Sequence, residues 1–183
     1  YTTEDGFAEL AAFLRGQGHL AEARQDPAPF DVAALSRYNV LVVMLPQEFY
    51  TTAEKEAIAQ FVAAGGRLVT VGEWGGFAGV SLNVLNDVHA YLGDGLYHNA
   101  DTVYDPTDSG ADASSWPIIH SFSPHPVNDG VGQVVEIMGS SLHLSGAAFG
   151  TAFGDEDTYV ATARQAAEGG SGAGGMATEM AVG

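Results

Sequence analysis

The chain has 183 residues, 46% of them apolar, and 23 Asp and Glu against 6 Lys and Arg, for a formal net charge of −17. That length suits one domain with a sizeable core, and the charge argues against nucleic acid and anionic membranes as partners, because phosphate surfaces need Lys and Arg. The absence of cysteine removes disulfides, thiolate metal ligands and a thiol nucleophile, and no apolar run approaches the ~18 residues that suggest a membrane span.

Residues 4–16 read as a helix, with Phe7, Leu10, Ala11 and Leu14 on one face of a 3.6-residue repeat and Gly16 and Gly18 to stop it. A short strand is expected over 19–24. The prolines of DPAPFD (26–31) make a loop, and a single helical turn follows in DVAALSRY. NVLVVMLP (39–46) is the strongest strand signal, continuously apolar and β-branched, as suits a strand covered on both faces. TTAEKEAIAQFVAAGG (51–66) is the strongest helix signal. Thr51 and Glu54 have capping-box spacing, Ile58, Phe61 and Val62 make the inner face, and Gly65 ends it. RLVTVG (67–72) is the next strand. Residues 39–72 thus form a strand–helix–strand unit whose two strands are expected to be parallel and central in a sheet.

A further helix is expected over 81–92, capped by Ser81, with Leu82, Leu85, Val88 and Leu92 inward and Asn83 and Asn86 away from that stripe. Weaker strand signals recur at 133–138, 141–145 and 158–163, and residues 99–130 read mostly as loop. A single domain over 1–167 is expected, with 168–183 as a Gly-rich tail or linker. The start at Tyr1 rather than Met reads as a processed or partial chain.

The order YNVLVVMLP, TTAEKEAIAQFVAAGGRLVTVGEWGG, LNVLNDVHAYLG and HPVNDGV, spanning about 38–131, resembles the class I glutamine amidotransferase-like fold. Within that fold it looks most similar to the non-catalytic or poorly characterised branches, which include trehalose-utilisation-type and gliding or transport accessory-type domains. The resemblance implies a three-layer α/β/α domain with a mostly parallel, flavodoxin-like central sheet. It also implies a first strand preceding the first helix, which this chain lacks, so that strand is expected from upstream residues or from a partner. In catalytic members the strand after GGrLv runs into an elbow bearing cysteine. Glu73 stands there, followed by Trp74 and Gly75. A carboxylate cannot replace the thiolate in that chemistry, so glutaminase activity is not expected.

The end of a parallel strand is where open α/β sheets bind ligands, which makes Glu73, Trp74 and Gly75 candidate ligand contacts. His125 is read chiefly as a turn residue and kept as a fourth candidate; no catalytic residue is assigned. In DTVYDPTDSGAD the carboxylates of Asp101, Asp105, Asp108 and Asp112 are candidate calcium ligands. Their spacing departs from the alternating ligand positions of an EF-hand, so a solvated acidic loop without a cofactor is the first reading. No Gly-x-Ser-x-Gly elbow or phosphate loop is present.

The expected function is a non-catalytic ligand-binding or scaffolding domain of a larger, exported or cell-surface protein, with the cytoplasm as the alternative location. Its partners would be other domains of a parent protein or a second copy. The rival readings are a hydrolase using Glu73 with a His/Asp cluster, metal-assisted or not, and an assembly subunit completed by a partner's strand.

Overall fold

The computed structural model describes residues 8–23, 30–75 and 79–161. Helix α1 (Ala8–Gly16) lies within the expected span; Phe7 of its expected inner face lies outside the described residues, and of the rest Ala11 is buried, while Leu10 is exposed. No strand forms over the described residues 19–23. After the helical turn α2 (Val32–Leu35), capped by the Asp31 side chain at the Ala34 N–H, come β1 (Val40–Met44), α3 (Thr52–Ala63) and β2 (Arg67–Val71).

The strand–helix–strand unit forms as its pattern requires. Thr51 and Glu54 complete the reciprocal capping box. Gly65 takes a φ of 94°, the left-handed conformation that releases the chain from α3. A Cβ at Gly66 would overlap the Phe61 ring, so glycine lets β2 start against the helix it has just left. Ala57, Ile58 and Phe61 are buried; Val62, expected inside, faces outward. Leu35, Ala57 and Phe61 pack with Phe30 and Leu41.

Strands β1 and β2 pair in parallel from Val40 opposite Arg67 to Met44 opposite Val71. They are not central, however: among the described residues no third strand joins them. Nor are they covered on both faces. Leu41, Val43, Leu68 and Thr70 lie on the covered side, whereas Val40, Val42, Val69 and Val71 are 37–50% exposed. Continuous apolar character was the wrong guide to burial here; the exposure alternates.

Helix α4 (Gly79–Leu92) starts before the expected cap, so Ser81 lies inside it and is fully buried. Ser81, Leu82, Val84, Leu85, Val88 and His89 are all nearly inaccessible, and the helix packs against both α3 and β3 (Leu96–His98). It is the central beam of the molecule.

From β3 onward every described strand pair is antiparallel and short. β3 pairs with β8 (Leu142–Leu144), β4 (Thr102–Tyr104) with β10 (Tyr159–Ala161), β5 (Ile118–Ile119) with β7 (Val134–Val135), and β6 (Ser121–Phe122) with β9 (Ala152–Phe153). The expected strands at 133–138 and 141–145 thus exist as shorter segments, the one at 158–163 is strand over 159–161 with 162–163 outside the described residues, and the region expected as loop holds three strands.

This corrects the expected fold class. The molecule is not a three-layer α/β/α domain built on a mostly parallel sheet; it joins one parallel pair to a set of small antiparallel pairs. A parallel strand needs a crossover long enough to return the chain. Beyond residue 92 prolines and glycines recur between the short apolar runs, and among the described residues neither a second capped α-helix nor a second five-residue strand is available to build another such unit.

Candidate functional site

The turn after β2 brings together the first three candidate ligand residues. The Gly75 N–H donates to the Asp101 carbonyl at 2.9 Å, and a Cβ at Gly75 would overlap the backbone of Ala100. Glycine therefore docks this turn onto the antiparallel half. Glu73 and Trp74 are half-buried, and burial raises the Glu73 carboxyl above its usual range. Glu73 makes no hydrogen bond with the described residues. His125 lies elsewhere in its bonding: its Nδ1 accepts from the Val127 N–H at 3.2 Å and its ring meets Phe149 edge-on, which makes it a turn residue.

Beneath the same end of β2 lies a polar network that the sequence reading did not assemble. Thr70 Oγ1 is 3.0 Å from His89 Nε2 and 3.3 Å from His98 Nε2, and His89 Nδ1 is 2.7 Å from Asp94 Oδ2. For neutral rings the protons follow from the donor inventory. The Asp94 carboxylate only accepts, so His89 carries its proton on Nδ1 and accepts a hydrogen bond from the Thr70 hydroxyl at Nε2. Thr70 Oγ1 then accepts from His98 Nε2–H. Burial, and after it the neighbouring His89, hold the His98 imidazole down at about 4. Burial pushes the Asp94 carboxyl up, but hydrogen bonds from His89 and the Leu96 N–H outweigh it and leave it below its usual range.

The array has the carboxylate–imidazole–hydroxyl order of an activated nucleophile. Yet both rings are buried and the second imidazole holds the hydroxyl from the other side, an arrangement suited to a lock. Asn86 reinforces it: its amide donates to the His98 carbonyl at 3.0 Å and accepts from the His98 N–H at 2.8 Å. Strand β2, helix α4 and strand β3 are thereby tied together. One signal in the sequence pointed here, since His89 interrupts the apolar stripe of α4 next to Val88.

Of the aspartates grouped as candidate calcium ligands, Asp101, Asp105 and Asp108 are engaged by different partners. Asp101 is buried and accepts from the Ser141 N–H at 2.8 Å and the Ser141 hydroxyl at 2.6 Å. Asp105, also buried, accepts from the Thr107 and Asp108 N–H groups and the Thr158 hydroxyl. Asp108 pairs with His120 at 3.0 Å, and Asp112 belongs to a separate 3-10 turn, Gly110–Asp112. A different set meets instead: carboxylate oxygens of Asp105, Asp155 and Asp157 lie within 4.8 Å of one another. Asp155 also borders an open cleft of about 280 Å³ lined with Asp108, Ile118, His120, Ser121 and Phe153.

Glu136, absent from every motif, is the anomaly. Its Oε2 is sealed from solvent without a hydrogen-bond partner among the described residues. Burial, and secondarily the Asp101 charge, push its carboxyl up to about 7.

Over residues 2–173 the sequence matches the family described as "Domain of unknown function (DUF4350)". No curated protein matches it. Among solved structures, a chain titled "mmIFT52 N-terminal domain" superposes with a TM-score of 0.73 at 17% identity, over 87% of this chain and 74% of that one. At that identity the likeness concerns the fold alone. These findings, with the antiparallel pairing beyond residue 92, overturn the resemblance to the class I glutamine amidotransferase-like fold and to its trehalose-utilisation-type and gliding or transport accessory-type branches.

Proposed function

The chain belongs to the DUF4350 family, and from that premise we propose that it is a non-catalytic binding domain that docks onto another part of a larger assembly. The observation carrying this reading is the outer face of the parallel pair, where Val40, Val42, Val69 and Val71 form one exposed apolar surface. Two five-residue strands normally cover such a face, because each exposed valine forgoes about 1.5–3 kcal/mol of burial at most. Contiguous apolar surface of this kind marks interaction sites. The similarity to a domain named as the N-terminal part of a longer protein supports a modular reading. So does the burial of His89 and His98, which hold the half-buried Thr70 between them in a structural lock.

The test uses hydrogen exchange and sedimentation. Exchange at 40–44 and 67–71 is expected to slow when the domain is studied within its parent chain or at concentrations where it self-associates. Val42→Glu with Val69→Glu is expected to abolish that change while leaving the melting temperature nearly unaltered. A monomer at all concentrations, with identical exchange in the isolated domain and the parent chain, would overturn the reading.

A further inference from the structure

We propose that Asp101 and Glu136 together hold a hard divalent cation, calcium in preference to magnesium, inside the antiparallel half of the domain. The inference is independent of the docking face. It begins with the sealed Glu136 Oε2, which finds no donor among the described residues. A buried polar oxygen left unpaired is costly and rare in native proteins. Its acidic neighbour makes the need greater: Asp101 is buried too, and its carboxylate is held on Ser141, two residues from the Gly139 against which the Glu136 carboxyl lies.

Among the described residues no Lys or Arg forms an ion pair with either carboxylate. Among the described residues Asp101 meets neutral donors, the Ser141 N–H and hydroxyl, which orient its carboxylate without cancelling its charge. The geometry around Glu136 is also built for the carboxylate. A Cβ at Gly139 would overlap Oε1, Cδ and Cγ of Glu136. Met138 turns the chain with a φ of 53°, an uncommon conformation for such a side chain. The Glu136 N–H is fixed to the Pro117 carbonyl at 3.0 Å and the Met138 N–H to the Ser115 carbonyl at 2.9 Å.

The donors are all oxygen, which selects hard cations over zinc or copper. Calcium accepts irregular sets of carboxylate and carbonyl oxygens, whereas magnesium prefers to keep several waters in a strict octahedron, which a sealed site does not favour. The trio Asp105, Asp155 and Asp157 is a different case. Its carboxylates are engaged by the N–H and O–H groups of their own loops, and it serves here as the control.

The test is calorimetric titration of chelator-treated protein with calcium chloride, followed by thermal melts and hydrogen exchange. Wild type is expected to bind one calcium and to melt about 5 °C higher at saturation, with magnesium giving a smaller rise. Exchange is expected to slow at 101 and 136–141. Glu136→Gln and Asp101→Asn are each expected to lose the binding while keeping a native circular dichroism spectrum, and Asp157→Asn to retain it. If neither of the first two folds, the wild-type exchange map decides: slowing confined to 105 and 155–158 overturns the proposal. So does an absence of binding heat and melting shift in wild type, which would mean that Glu136 is held as the neutral acid, or binding that survives Glu136→Gln.

Discussion

The two halves of this domain solve the same problem in opposite ways. Residues 31–92 satisfy their backbone with long local elements: a capped helix, two five-residue strands in register, and a 14-residue helix. Residues 93–161 use strands of two or three residues whose partners are distant in sequence, as where Leu96 meets Leu144 and Thr102 meets Ala161. Such ladders are too short to satisfy the chain alone, and carboxylates take up the remainder. Asp101, Asp105 and Asp155 accept from backbone N–H and side-chain hydroxyl groups of their own neighbourhood. The lesson is that the acidity of this half, which has no Lys or Arg to pair with, is partly structural. Several of its aspartates stand in for strand partners.

If the halves are joined through α4, the largest effect comes from that helix. Leu85 is fully buried in it, and Leu85→Ala is expected to cost about 3–5 kcal/mol in a single cooperative melting transition. Two separate transitions by calorimetry would show that the halves unfold independently and that α4 is not their common beam.

Acid should loosen the joint next. The His98 imidazole is held at about 4 when folded, against an ordinary 6.5. Below 6.5 the unfolded chain takes up a proton that the folded one refuses, so stability is undiminished at pH 7 and falls as pH drops from 6.5 to 4. The loss approaches about 3 kcal/mol. His98→Asn is expected to flatten that part of a stability-versus-pH curve measured by urea denaturation; an unchanged slope would remove His98 from the joint's energetics.

Asn86→Ala sharpens the comparison further. It leaves both the N–H and the C=O of His98 without their clamp, at an expected cost of about 2 kcal/mol. Exchange at 96–98 and 142–144 should accelerate before any change at 40–44. Equal acceleration in both halves would contradict the assignment of Asn86 to the joint alone.

The smallest effect should fall on the outer face of the parallel pair. Val42→Thr is expected to change stability of the isolated domain by no more than about 0.5 kcal/mol, since Val42 is 46% exposed. A larger loss by denaturant titration would mean that this face is covered within the single chain, and would remove the basis for docking there.

What could be read from the sequence follows the same division. Strand β1, helix α3 and strand β2 were legible because their signals are local. Thr51 and Glu54 meet across one turn, Gly65 stops the helix where the apolar repeat ends, and a crossover of that length returns the chain in parallel. Helix α4 was legible from Leu82, Leu85 and Val88, although its start was not, because Ser81 resembles a cap and is instead buried. The Glu73–Trp74–Gly75 turn was placed correctly at the end of β2, but its docking on Ala100 and Asp101 was not foreseeable. Tertiary structure alone decided the rest. A two-residue strand has no period to detect, so the pairing of Ile118 with Val135 or Phe122 with Ala152 leaves no pattern in the chain. Asp101 and Asp105 sit in one acidic run yet serve different networks, one with Ser141 and Glu136 nearby, the other with Thr158. Thr70, His89, Asp94 and His98 spread over 29 positions and converge only when β2, α4 and β3 pack. Local periodicity is a property of neighbours along the chain; a buried polar network is a property of neighbours in space, and only folding brings those together.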